Sequence, residues 1–345
     1  MFKKINPAQF IIYFSVLFFA VTLIYFGVAA EKIAPQSQEN VITYYLDLAY
    51  TPFKKAFLWS VVFVLLALTL HLIIFFINLF RNQKSQKLIS VRHAFRKIFI
   101  KFLIESKTAL KFALPSLLSL FLLTLTLGKA NLFNKSRLKD GLIAELDLGL
   151  TGNYPFFSLH TIQYPKWFIY LVTFSFSYLV FFMIIFAFYI FYKNARVFKE
   201  LTATFCLGLV FMSISWFVVP VLSPQDRYID NIYKLPVPEK ISTALTNYEP
   251  QKEVEVFMKK VRERKENLKA LPTSTLPSAH VFWAVIFGYY LYLVDKKSAF
   301  IFTPILALSS FGTFFLAQHY FIDMPAGILF AIFTIIAVRY FLRRA

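Results

Sequence analysis

Hydrophobic positions along this chain gather into long, nearly uninterrupted runs rather than alternating with polar ones. Eight such runs cover residues 10–30, 56–80, 112–128, 167–191, 202–222, 278–294, 299–317 and 325–342. Each approaches the length needed for a helix to cross a hydrocarbon layer of ~30 Å. Backbone amides and carbonyls in lipid must pair within their own segment, and no ten-residue alternating pattern of a membrane barrel occurs, so the runs predict α-helices. The expected fold class is an all-α polytopic membrane protein with about eight transmembrane helices.

Composition agrees. Of 345 residues, 58% are hydrophobic and only 16% are charged, with 44 Phe, and no water-soluble globule hides that much apolar surface. The single cysteine, Cys206, lies inside an apolar run, which excludes an intrachain disulfide and a Cys-based metal cluster. Only nine glycines occur, and no Gly-rich phosphate loop, internal repeat or low-complexity tract is present.

Charge sets the expected orientation. Lys and Arg total 37 against 18 acids, and the surplus concentrates in residues 81–107, where eight basic residues meet the single acid Glu105. Basic loops are retained in the cytoplasm. If all eight spans cross, Lys3 and Lys4, then Lys193, Arg196 and Lys199, then Lys296 and Lys297, and finally Arg343 and Arg344 fall on that same side, with both termini inside. The segment 223–277 carries ten basic and eight acidic residues, as expected of a translocated outer loop. Most of the excess sits beside span ends, where anionic headgroups account for it, and no nucleic-acid recognition motif accompanies it. Residues 1–30 have a basic start and an apolar stretch longer than a signal-peptide core, which favours an uncleaved first helix.

Five histidines are candidates for chemistry. His71 falls within the second span, His93 in the basic inner loop and His160 in an outer loop, all places where a hydrogen-bonding or solvated role suffices. His280 follows Pro277 and Ser278 at a helix start, with Ser278 a natural N-cap. A helix start presents unpaired amides and a positive partial charge, which favours an anion such as phosphate beside a proton-carrying imidazole. A simple cap with a solvated histidine fits those residues equally. His319 and Asp323 lie four apart, so on a helix they share a face, and a carboxylate at one ring nitrogen raises the basicity of the other. Asp323 could instead only cap the last helix, whose first turn holds Pro325. Two crossings separate His280 from His319, so both return to one outer face, and Arg227, just after the fifth span, joins them there.

These residues resemble the type 2 phosphatidic acid phosphatase superfamily, whose members share K-x6-R-P, P-S-G-H and S-R-x5-H-x3-D motifs. Pro277-Ser278-Ala279-His280 matches the second with Ala for Gly; His319 and Asp323 match the third, preceded by Gly312-Thr313 where Ser-Arg is usual. The first motif has no clean counterpart, residues 260–272 being basic but wrongly spaced. The stretch Gly312-Thr313 through Gln318-His319-Tyr320-Phe321-Ile322-Asp323 is similar to the branch containing fungal inositol phosphorylceramide synthase, and 147–155 to that branch's earlier outer segment. Sphingomyelin synthase is a more distant relative with a comparable element. The resemblance covers about residues 147–342.

It implies a six-helix core in residues 108–345, preceded by two extra helices and a basic loop in 1–107. It further implies two-step phosphoryl transfer, with His319 the nucleophile, Asp323 orienting it and His280 the acid and base. Phosphate oxygens would be held without metal or cofactor, by Ser278, Arg227, helix-start amides and the Thr313 position. The substrate would be a membrane lipid with a phosphate-bearing headgroup, cleaved by water or transferred to a lipid or polyol alcohol. A rival reading, a proton- or ion-coupled transporter, expects ionisable groups deep within spans, whereas these sit at helix ends. A catalytically inactive scaffold of the same fold is the third. Residues 252–270 place Val254, Phe257 and Val261 at helical spacing, which suits an amphipathic helix on the outer leaflet over the site.

Overall fold

The computed structural model describes residues 6–33, 110–123, 138–232, 234–267 and 274–344, besides the isolated positions 100, 107 and 126. The expected second span, His71, His93 and nearly all of the basic segment 81–107 lie outside the described residues. Within them the chain is helical with no β-strand, an all-α membrane protein as the apolar runs require.

The helices are α1 (Pro7–Ile33), α2 (Leu110–Leu123), α3 (Asp140–Thr151), α4 (Pro155–Ser158), α5 (Lys166–Ser177), α6 (Leu179–Lys193) and α7 (Ala195–Val218). They continue as α8 (Glu239–Thr246), α9 (Lys252–Asn267), α10 (Ala279–Val294), α11 (Lys296–Phe315) and α12 (Asp323–Arg344). Among the described residues α1, α7, α11 and α12 are long and apolar enough to cross a membrane, and α5 with α6 makes a fifth such unit. At 16 residues, α10 is shorter but apolar throughout.

Helix ends follow local chemistry. Asn194 caps α7 by accepting from the Arg196 and Val197 amides, and Asp295 caps α11 by accepting from Lys297 and Ser298. Such caps satisfy amides that the helix cannot pair itself.

The expected continuous span 167–191 is instead broken at Tyr178, where α5 and α6 meet at 60°. Ser175 and Ser177 immediately precede the break, residue types that accompany sharp bends. The bend has a packing purpose: α5 follows α11, while α6 packs on α10. Close approach of α5 to α11 depends on Gly312, where a Cβ would sit 3.1 Å from both Val172 Cγ1 and Phe176 Cβ.

α10 is the hub of the bundle, packed against α6, α7, α11 and α12. Its Phe282 ring lies directly over Gly208 of α7, where an added Cβ would fall within 2.0 Å of the ring. Buried Tyr290 and Thr204 share a 2.6 Å hydroxyl contact between α10 and α7. A second apolar cluster, including Phe156, Phe157, Tyr228, Phe315 and Tyr320, supports the end of the bundle where α10 and α12 begin.

Candidate active site

Two helix starts meet at this end. The amide of Ser278, the cap of α10, donates to the carbonyl of Asp323, first residue of α12, at 3.2 Å. The contact is possible because position 327 is glycine: a Cβ there would lie 2.8 Å from the Ser278 carbonyl oxygen and 3.0 Å from Val281 Cβ.

His319 lies in the short connection between α11 and α12 and is almost fully buried, with Asp323 and Ser278 completely so. Its Nδ1 is 3.1 Å from Asp323 Oδ2 and 3.1 Å from the Thr275 carbonyl oxygen. The Thr275 carbonyl and the ionised Asp323 carboxylate both accept, so Nδ1 is the donor, and in the neutral ring Nε2 has the lone pair. That Nε2 faces the Ser278 hydroxyl at 3.4 Å. The histidine–carboxylate pair is formed, but not on a shared helix face as the four-residue spacing implied: His319 lies in the turn before α12, and the turn brings its ring to Asp323.

His280 sits on the first turn of α10, its ring centroid 6.2 Å from that of His319. It stacks on Phe176 of α5 at 4.3 Å with an interplanar angle of 8°, and Trp283 flanks it at 5.7 Å. The bend at Tyr178 is what carries Phe176 to this position. Phe176 also meets Phe257 of α9 edge-on at 5.9 Å. Val254 and Met258 of α9 are buried, so this helix is docked on α5 rather than solvated on all sides.

Arg227 and Thr313 are placed differently. Arg227 lies on a single π-turn, Gln225–Ile229, buried, with Nε 3.5 Å from Asp140 Oδ2 and an Nη donating to the Pro236 carbonyl at 2.8 Å. Its guanidinium also covers the Tyr228 ring at 4.8 Å. The Thr313 hydroxyl donates back to the Ser310 carbonyl within α11. The Thr313 carbonyl accepts from the Gln318 and His319 amides, so this residue holds the His319 backbone while its side chain is turned into its own helix. His160 is buried between Tyr248 hydroxyl, at 3.0 Å, and the Phe315 carbonyl, in keeping with a structural role.

Asp147 is the residue that spacing arguments passed over. Its two carboxylate oxygens each accept a 2.8 Å hydrogen bond, one from the Phe321 amide and one from Ile322, clamping the connection that carries His319 and Asp323. Burial pushes its pKa up to about 6, against the lowering effect of those two amides. Asp140 is likewise pushed up to about 6 by burial, opposed by the Leu222 amide and Arg227. A signal for both exists in the sequence: seven apart on α3, they share its inner face, while Leu142, Leu146 and Leu150 at four-residue spacing are exposed.

The sequence profile of the PAP2 superfamily, the type 2 phosphatidic acid phosphatases of the resemblance, matches residues 142–337, more than half of the chain. The chain belongs to that superfamily, whose members are usually phosphatases, and its function is of the phosphatase or phosphotransferase type. The match spans α3 to α12 and includes every residue of the His280–His319–Asp323 cluster. No curated protein and no solved structure matches the chain.

Proposed function

We propose that the protein is an integral membrane lipid phosphatase or phosphotransferase that cleaves a lipid phosphoester through a phosphohistidine on His319. The observation that carries this reading is the state of that ring, with Nδ1 held by two acceptors and Nε2 left with its lone pair 3.4 Å from Ser278 Oγ.

His319 Nε2 attacks phosphorus as the bond to the leaving alkoxide breaks, and His280, having taken up a proton when the anionic phosphate enters beside it, gives that oxygen the proton. The positive charge arising on His319 is stabilised by Asp323 through Nδ1–H. Water or an alcohol, losing its proton to His280, then attacks phosphorus and breaks the P–N bond, releasing His319. Ser278 Oγ and the first-turn amides of α10 stabilise the phosphate oxygens. Arg227 contributes only if substrate draws it away from Asp140; otherwise its charge acts through the buried pair. No metal takes part, so turnover persists in EDTA.

The lipid enters sideways. An apolar groove of about 540 Å3 between α7 and α12, lined by Phe211, Ile214, Val218, Leu329 and Phe333, offers a lane for an acyl chain. It adjoins the site, because Ser215 in its lining donates to the Leu276 carbonyl, and the next residue, Trp216, to that of Pro277. The likeness of Gln318-His319-Tyr320-Phe321-Ile322-Asp323 to the inositol phosphorylceramide synthase branch favours transfer of an inositol-phosphate-type headgroup to a lipid alcohol over hydrolysis. The charge pattern favours both termini cytoplasmic and the histidines on the outer face, and a composition of one Cys with abundant Lys, Ile and Phe is compatible with a bacterial inner membrane.

Purified protein incubated with headgroup-labelled phospholipid, with and without an alcohol acceptor, tests this. Release or exchange of label should fall by about 10²–10⁴-fold or more in His319→Ala and in His280→Ala. Retained turnover in both variants overturns the assignment.

A further inference from the structure

At the end of the bundle remote from the histidines, the start of α1, the first turn of α7 and the last turns of α12 enclose a cavity of about 190 Å3. Asn6, Arg196, Lys199, Glu200, Arg339 and Arg343 line it. Arg339 lies 16 residues beyond Asp323 on α12, which puts the cavity roughly 24 Å along the helix from the proposed catalytic cluster.

Among the described residues four cations there face one carboxylate, and that carboxylate is already committed. Glu200 Oε1 pairs with Arg339 Nε at 3.0 Å, and Arg339 also donates to the Tyr289 hydroxyl. Arg196, Lys199 and Arg343 therefore leave the cavity with a surplus of three positive charges. Helices α1 and α7 both begin here, capped by Asn6 and Asn194, so two positive dipole ends add to the same field.

A second feature points to what neutralises it. About one turn along α1 from the cavity, Phe10 stacks on Phe341 of α12 at 6.1 Å, and both rings are substantially exposed. A cationic cavity beside an exposed apolar wall matches a molecule with an anionic head and an apolar tail.

We propose that this cavity binds the phosphate headgroup of an anionic phospholipid, its acyl chain lying along Phe10 and Phe341, in the leaflet opposite the histidines. The bound lipid would hold α1 against α7 and α12. It is a resident of the protein, separate from any substrate.

Native mass spectrometry of protein exchanged into micelles containing equal phosphatidylcholine and phosphatidylglycerol tests the idea. The wild type should retain phosphatidylglycerol selectively. Arg196→Gln with Arg343→Gln, both exposed positions, should lower that retention by roughly tenfold or more, since each interfacial charge contributes on this scale. Arg196→Lys with Arg343→Lys should restore most of it. His319→Ala should leave it unchanged, so the result stands apart from the fate of the phosphohistidine. Equal retention in wild type and the Gln double variant, or complete displacement of the lipid by millimolar inorganic phosphate, overturns the proposal; the latter would mean that free phosphate is the ligand.

Discussion

Asp147 never touches His319, yet it holds both amides that follow Tyr320, while the Thr313 carbonyl and Asp323 hold the earlier part of the connection between α11 and α12. Asp147→Ala would leave two buried N–H groups unpaired, at a cost of about 1–3 kcal/mol each. Asp147→Asn keeps one acceptor oxygen and should be intermediate in both stability and turnover. Its pH behaviour is also distinctive. The folded pKa of about 6 lies above the ordinary 3.8, so ionisation is harder in the folded protein, and the stability this group confers is full below 3.8 and lost as pH rises through about 6. Thermal melts in detergent between pH 4 and 7 should therefore slope downward in the wild type, by at most about 3 kcal/mol from this group, and less steeply in Asp147→Asn. A parallel slope in both would remove Asp147 as its source.

At the scale of helices, close approach at glycine decides where the side chains meet. Gly327→Ala would push a Cβ against the Ser278 carbonyl and Val281, separating the starts of α10 and α12. An overpacking cost of about 1–3 kcal/mol is expected, with loss of turnover exceeding loss of folded protein, because the displaced atoms belong to the site. Turnover per folded molecule, measured against the melting temperature, checks this. Much at this scale is legible in the sequence. Apolar length identifies α1, α7, α11 and α12, and the Pro-Ser pair before the shorter apolar α10 marks its cap, because hydrocarbon thickness and unpaired amides leave few alternatives. The contact of His319 with Asp323 is suggested by their spacing, but the helix that the spacing assumes is absent there, and a turn makes the contact instead. The break at Tyr178 is not legible in this way, since the run stays apolar across it and Ser175 and Ser177 mark it only weakly; what separates the two halves is their different neighbours, α11 and α10. Arg227 shows the same limit: its place after α7 suggests the site, but its partner Asp140 lies 87 positions earlier and is fixed only by packing.

Across the whole molecule the polar ends have different characters. One gathers His280, His319 and Asp323 between capped helix starts; the other gathers Arg196, Arg339 and Arg343, with Asp295 joining α10 to α11 near Tyr189. The proposed orientation makes them outer and inner respectively. Thr243→Cys, exposed on α8, should then react with a membrane-impermeant maleimide in intact cells, and Lys297→Cys, exposed on α11, only after permeabilisation. The reverse pattern would invert the protein. The central claim remains that His319 carries phosphate covalently during turnover. Acid quenching is to be avoided, since phosphohistidine is acid-labile; rapid alkaline quenching with phosphorus-labelled lipid, followed by peptide mapping, is the direct measurement. Label should appear on the peptide containing His319, vanish in His319→Ala, and build up in His280→Ala if release of the phosphoryl group slows more than its capture. Undiminished label in His319→Ala, or no label in a wild type that is turning over under any quench time, would contradict the account.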